Sequence, residues 1–271
     1  MLCVAGQLVS CACACVAVHY QKRYNRLHRS IYGLSYDTQS LTVAYRAVSV
    51  YCSLLYKCNG TVRGQLTRRW PRFYALSGPG APVQPWIVLA DLAVLASLLG
   101  LIRQLAAYNH TRHVHQGYSF IAWANFTLTL GALGVGSLLC ALWRGPRGPG
   151  LLGLFLLDHV NFTWVIGQYI CAVALWPQIC INWMGTCCSG ISSRFVVVSL
   201  VGALVRVFTN TNVGNNVPFY RWPYNVTTRL ANYIELVSLC IILLQAQKVY
   251  VHNKPRLPKV GQIQHYNGGV V

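Results

Sequence analysis

Acidic residues are nearly missing from this chain. Four Asp and Glu stand against 22 Lys and Arg over 271 residues, and charged residues of both signs make up only 10%. A soluble domain carries about a quarter charged residues. With 55% hydrophobic residues and a mean hydropathy of +0.43, the chain lacks the polar surface of a water-soluble fold. The formal charge of +18 would suit nucleic acid if it formed one patch or stripe. Instead the basic residues sit in short clusters between apolar runs, the pattern of loops facing anionic lipid or the cytosol, so no nucleic-acid partner is expected. A disulfide framework is also missing. Most of the 12 cysteines lie in apolar stretches, where cysteine packs as a small hydrophobe. Cys11, Cys13 and Cys15 alternate, so only Cys11 and Cys15 share a helix face. The stretch Asn109–His115 holds His110, His113 and His115, but no second histidine box exists. It reads as a solvated, pH-sensitive loop rather than a metal site. No nucleophile–base or metal constellation appears, so neither a cofactor nor an enzymatic activity is expected.

What is present is apolar length. A membrane-spanning helix needs about 20 apolar residues, and seven stretches qualify: roughly 1–19, 39–57, 84–104, 118–143, 152–181, 195–212 and 228–250. The first has a small-residue run, Ala12-Cys13-Ala14, that resembles a signal-peptide cleavage site, but no positive segment precedes it; it is read as a retained helix. The stretches Ser77–Pro82 and Arg144–Gly150 are rich in Gly and Pro and break helices.

A short motif occurs twice. Gln21–Asp37 (QKRYNRLHRSIYGLSYD) and the stretch from Pro177 (PQICINWMGTCCSGISSR) align at an offset of 157 residues, Gln21 to Gln178. Asn25 then meets Asn182, Gly33 meets Gly190, Leu34 meets Ile191, and Ser35 meets Ser192. Duplicated halves are a hallmark of membrane transporters. The expected fold is an all-α polytopic membrane protein with seven transmembrane helices. They form two parallel three-helix bundles joined by a linking helix (3+1+3). Residues 1–104 make the first repeat, 118–143 the linking helix, 152–250 the second repeat and 251–271 a polar tail. Four crossings separate the first helix from the fifth, so the halves enter in the same direction. Loop charge divides eleven basic residues against nine and does not fix orientation. Of the sequons, Asn59 and Asn225 fall on the expected lumenal side and Asn109 on the cytosolic side.

The paired motif resembles the PQ-loop family of seven-helix membrane proteins, the wider group of cystinosin, the SWEET sugar carriers and the KDEL receptor. Pro177-Gln178 is the family's dipeptide as it stands. The first copy, RSIYGLSYD over Arg29–Asp37, is most similar to the cystinosin branch. Tyr20 replaces the first proline, and Ser199 stands about where that branch carries an acid in the sixth helix. The resemblance implies a carrier with a solute path between two bundles, often proton-coupled, in an organelle membrane such as that of a vacuole or lysosome. Its partners would be a small polar solute of the amino-acid or cystine type, protons and the bilayer. The same scaffold permits a receptor that binds a peptide carboxylate or lipid without transport.

Individual residues carry alternatives. Pro177 bends its helix and frees the carbonyl of Val173, for which Gln178 is a partner, and the bend reads as a hinge or a static kink. Gln21 reads as a structural polar contact in a copy without the proline. Gly33 and Gly190 allow a tight turn into the next helix, with Ser35 and Ser192 as caps. An intramembrane charge costs at least about 2.5–3.5 kcal/mol, so each acid is informative. Asp37 reads as a helix N-terminal charge or, by resemblance, a proton-coupling carboxylate. Asp158 and Glu235 are further proton-coupling candidates, and Asp91 has no assigned role. Arg46 and Arg206 lie mid-helix, and the pairs Glu235–Arg206 and Asp158–Arg46 are expected, as structural ion pairs or solute-path groups. Asn25 and Asn182, one turn after the glutamines, offer amides to a solute or cap helix ends.

Overall fold

The computed structural model describes residues 2–74, 82–141, 153–213, 219–253 and 258–260. The Gly/Pro-rich stretches 77–81 and 144–150 and the tail beyond 260 lie outside the described residues. Nine α-helices are described: α1 Leu2–His28, α2 Tyr36–Cys58, α3 Gly60–Arg69, α4 Pro85–Ala107, α5 Phe120–Ala141, α6 Leu156–Val173, α7 Trp176–Gly185, α8 Ser193–Val213 and α9 Arg229–Leu244. No strand is found among the described residues.

Six spans are long and apolar enough to cross a membrane: α1, α4, α5, α6 with α7, α8, and α9 with the π-helical turn Gln245–Val249. The expected second span, α2, has the length but is not among them. Asp37, Gln39, Arg46 and Lys57 make it too polar. The physical reason lies in its position. α2 packs on α4 and α6 and buries Asp37, Gln39, Arg46 and Ser53, so protein rather than lipid meets its polar face.

Packing is paired. α1 lies along α8 and α4, α2 along α6 and α4, and α9 along α8 and α6. Exchanging α1 with α6–α7, α2 with α8 and α4 with α9 returns the same set of contacts. Small residues let the central pairs approach, as in membrane helix packing generally: a Cβ on Gly6 would sit 2.1 Å from Thr209 Oγ1, and one on Gly167 2.7 Å from Val48 Cγ1. α5 packs on α6 alone among the helices in close contact, and its Phe120, Ile121, Trp123 and Leu128 stay exposed, as suits a lipid-facing helix. Apolar clusters fill both ends: Cys11, Val18, Ile31, Leu98 and Leu101 near the first motif, and Tyr56, Val62, Leu66, Leu157 and Val160 at the other end of α2.

The short helix α3 went unforeseen, because its strongly polar sequence carries no apolar period. Asn59 caps it, accepting from the Thr61 and Val62 amides at 2.9 and 3.2 Å. Of the lumenal-side sequons, Asn225 is buried and its amide is engaged twice by the Gln84 backbone, at 3.2 and 2.7 Å. A glycan has no room there.

Candidate functional site

The two motif copies bind each other. Gln21 and Asn25 are four apart near the end of α1, so they share a helix face; Gln178 and Asn182 do the same on α7. Gln21 Nε2 donates to Asn25 Oδ1 (2.8 Å) and to Gly190 O (2.9 Å), while its Oε1 accepts from Ser192 N (2.9 Å). Gln178 Nε2 donates to Asn182 Oδ1 (3.0 Å) and to Gly33 O (2.8 Å), and its Oε1 accepts from Ser35 N (2.8 Å). Each glutamine thus satisfies an N–H and a C=O in the loop of the other repeat. The four amide side chains are at most 3% exposed, where an unpaired backbone group costs about 1–3 kcal/mol.

Glycine makes the approach possible. A Cβ on Gly190 would lie 2.0 Å from Tyr32 O, and Gly33 has φ +79°, the left-handed region. Ser35 caps α2 by accepting from Thr38 N at 3.1 Å.

Two further glutamines complete the lock. Asn25 Nδ2 donates to Gln104 Oε1 (3.4 Å) and Asn182 Nδ2 to Gln245 Oε1 (3.0 Å). Gln104 and Gln245 in turn donate to Lys22 O and Ile179 O, both at 3.2 Å. Lys22 and Ile179 are themselves counterparts at the motif offset, so the match is residue for residue.

The helix is interrupted just ahead of Pro177: α6 ends at Val173, whose carbonyl the proline cannot serve, and α7 restarts at Trp176 with Pro177 in its first turn. Gln178 does not serve the Val173 carbonyl; it crosses to the other repeat. Gln21 is its equal rather than a lesser contact.

Below the lock lies a cavity of about 90 Å³. Its wall draws on corresponding residues of both repeats, Val18 with Leu175, Thr42 with Ser199 and Leu98 with Leu239, and on Arg46 and Arg206, which come from the corresponding helices α2 and α8 but stand three residues out of register. Arg46 on α2 pairs with Asp91 on α4; Arg206 on α8 pairs with Glu235 on α9, Nη2 to Oε2 at 2.5 Å. Both arginines are nearly inaccessible, at 5% and 3%.

The expected Arg206–Glu235 pair therefore forms, whereas Asp158–Arg46 does not. Asp158 is part-exposed at the start of α6 and pairs with Arg69 of α3, away from the cavity wall. Asp91, unassigned from sequence, is the buried partner of Arg46. Asp37 is also buried but lies off the cavity; both its oxygens face the Ser119 amide, at 3.3 and 3.2 Å. Asn25 and Asn182 belong to the lock and line no part of the cavity wall.

The histidine loop is not solvated at its centre. His113 is 1% exposed, its Nδ1 accepts from the His115 amide at 3.1 Å, and its ring meets Tyr32 edge-on at 5.4 Å. Burial lowers its pKa from 6.5 to about 4, with a smaller push from His115. Beside it Gln116, fully buried, donates to Ile31 O (2.7 Å) and Leu34 O (2.8 Å) and accepts from Gly33 N (2.8 Å). The α4–α5 loop therefore clasps the first motif copy. At the far end of α2, Tyr56 bonds Asn161, its ring lies 4.2 Å from that of Tyr224, and Trp164 Nε1 donates to Tyr224 O at 2.9 Å.

Comparison with known proteins agrees with this architecture. The PQ loop repeat family model matches residues 160–219, which contain the second motif copy. An uncharacterized protein of Saccharomyces cerevisiae, YCL002C, is 37% identical over 246 residues, covering 90% of this chain and 93% of its own length. Because the matched copy is bound reciprocally to its twin, and likeness to the yeast protein runs through both, the chain belongs to the PQ-loop repeat family of membrane proteins.

Proposed function

We propose that this protein carries a small polar solute of the amino-acid type, together with protons, across an organelle membrane of the vacuole or lysosome kind. The observation that carries the reading is the cavity: it lies between the two repeats and is walled by corresponding residues of each. Sites at a repeat interface near the membrane midplane suit alternating access, in which one half rocks against the other. The glutamine lock closes one end; the Tyr56–Tyr224–Trp164 cluster closes the other. Opening either end means trading its bonds for the solute path. Glu235, which lines the cavity, is the preferred coupling group. Asp37, engaged by Ser119, is the secondary one.

The reading takes α2 as a seventh crossing, giving two parallel three-helix bundles with α5 as the link. Chain parity supports this. The lock gathers the end of α1, the start of α2, the end of α7 and the start of α8 at one face. With α2 left out, α4 and α5 would return the chain to that face and α6–α7 would run away from it. With α2 crossing, α6–α7 arrives there. Its 23 residues reach about 34 Å at 1.5 Å per residue, enough for a bilayer core of about 30 Å.

The test is uptake by the purified protein in sealed vesicles, with labelled cystine and a pool of amino acids offered with and without an inward acid gradient. Gradient-driven uptake that is lost in Glu235→Gln is the expected result. No uptake of any offered solute by folded protein overturns the reading, and saturable binding without flux transfers it to a receptor.

A further inference from the structure

We infer that the cavity is a carboxylate site in which the solute's carboxylate and Glu235 exchange places at Arg206. The inference rests on the carrier reading only for the claim that what binds also crosses. Binding stands without it.

The argument begins with unused donors. Arg46 and Arg206 reach the cavity from α2 and α8, and each directs a terminal nitrogen at its own acid. Each also has a buried Nε without a hydrogen-bond partner among the described residues. One such buried donor costs about 1–3 kcal/mol; two in one wall ask for an acceptor with more than one oxygen. Guanidinium groups match carboxylates in shape as well as charge. The room, about 90 Å³, holds a few waters at about 30 Å³ each, or a small solute in their place.

Charge then limits what enters. Two arginines and two acids leave the cavity neutral, and adding an anion to a dry neutral site is costly. One negative charge has to be cancelled. Asp91 is held by Arg46, by Ser49 Oγ at 2.8 Å and by Cys11 Sγ at 3.7 Å, and its side chain is 2% accessible. Glu235 has Arg206 alone among the described residues, an ion pair whose Oε2 is not aligned for a hydrogen bond, and 20% of its side chain is accessible. The groups around Glu235 are Arg206 on α8, Cys171 on α6, and Tyr45 and Arg46 on α2; behind Arg46 stand Asp91 of α4 and Cys11 of α1, and α1 also brings Ala14 and Val18 to the wall. A proton added to a carboxylate oxygen of Glu235 makes it a neutral acid. Arg206 is then free to pair with the incoming carboxylate, and the cavity remains neutral. Proton and carboxylate therefore bind together.

A free monocarboxylate and the carboxylate end of an amino acid offer the same chemistry. The experiment separates them by equilibrium dialysis of the full-length protein in detergent, with labelled glycolate, glycine and ethanolamine, between about pH 5 and 8. Glycolate binding identifies the first source and glycine binding the second. In either case one proton is taken up per molecule, read with an indicator dye, and affinity falls roughly tenfold per pH unit on the alkaline side. Glu235→Gln, a mimic of the protonated acid, binds the same carboxylate with no pH dependence. If that variant does not fold, the proton stoichiometry of the wild type decides. Ethanolamine binding in place of the carboxylates overturns the inference, as does binding of neither carboxylate, or binding without proton uptake. Flux is scored separately: a carboxylate that binds but never crosses a sealed vesicle leaves this site standing and overturns the carrier reading. A solute without a carboxylate that crosses does the reverse.

Discussion

The two halves place an arginine–acid pair between the same two helices and then treat it differently. In the first half Asp91 is sealed, with Arg46, Ser49 and Cys11 all directed at it. In the second, Glu235 pairs with Arg206 alone among the described residues, and 20% of its side chain is accessible. Duplication supplies one scaffold twice; the neighbours decide what each copy does with its charge. A carboxylate with donors on both oxygens is a fixed counterion, because a proton on either oxygen displaces a donor already there. One with a single misaligned partner is free to change state. The lock shows the opposite tendency: there the copies remain equal, because each glutamine serves the other's loop and neither can drift alone.

The largest expected effect tests the sealed half. Asp91→Asn leaves Arg46 as a buried charge without a counterion, a change that costs about 3–5 kcal/mol. Thermal melting in detergent should show a protein that is barely folded. A mild effect would mean that the first pair is as loose as the second.

The next test addresses the equality of the lock. Gln21→Ala and Gln178→Ala each remove three hydrogen bonds and orphan one N–H and one C=O of the opposite loop. At about 1–3 kcal/mol per orphan, each should cost roughly 2–6 kcal/mol, and the two costs should agree. The double variant should cost less than their sum, since the loops need come apart only once. Unequal single effects would show that one repeat dominates the closure.

A smaller effect comes from the clasp on the first loop, which has no counterpart in the described part of the second half. His113 holds its proton less well when the loop is docked, so acid favours the undocked form. Docking keeps its full strength above pH 6.5 and weakens as pH falls toward about 4, by up to about 1.4 kcal/mol per unit. His115 and Tyr32 lie against the ring, and the backbone of Lys259 pairs with that of His113. A proton titration by nuclear magnetic resonance should find His113 near pH 4. Titration near 6.5 would remove the clasp from the comparison.

Sequence carried much of this, and its failures have physical causes. The repeat was legible because Gln21, Asn25 and Gly33 recur at one offset without interruption. Gln104 and Gln245 complete the same lock, yet they stand 141 residues apart rather than 157, since the segment holding α3 lengthens the first half. That shift hid them, and it also hid Asp91 as the partner of Arg46. Arg206 and Glu235 were legible as a pair because a base and an acid stand within two apolar helices of one repeat. Asp158 went to Arg69 because the polar α3 folds back onto α6, a tertiary event with no local signal. The helix break at Ala174–Leu175 escaped because proline alone does not distinguish a bend from a restart. His113 looked solvated because its loop is polar; burial there comes from Tyr32 and Gln116, not from the loop's own composition.

The last contrast, between Asp91→Asn and Glu235→Gln, is the sharpest. Removing the Glu235 charge leaves Arg206, 3% exposed, buried without its acid, so without an added anion it too should cost about 3–5 kcal/mol. It should be the milder of the two, because the ion pair it breaks has no aligned hydrogen bond, whereas Asp91→Asn also disturbs Ser49 and Cys11. The two variants should also answer differently to anions. A carboxylate that fills the vacated place at Arg206 stabilises the folded state in proportion to the logarithm of its concentration, so glycolate or glycine should raise the melting temperature of Glu235→Gln. Arg46 also borders the cavity, but the place of Asp91 lies behind it against Ser49 and Cys11, so Asp91→Asn should respond less. Equal costs with no anion response in either variant would mean that both pairs are structural, and the division of labour between the halves would have to be sought in the loops instead.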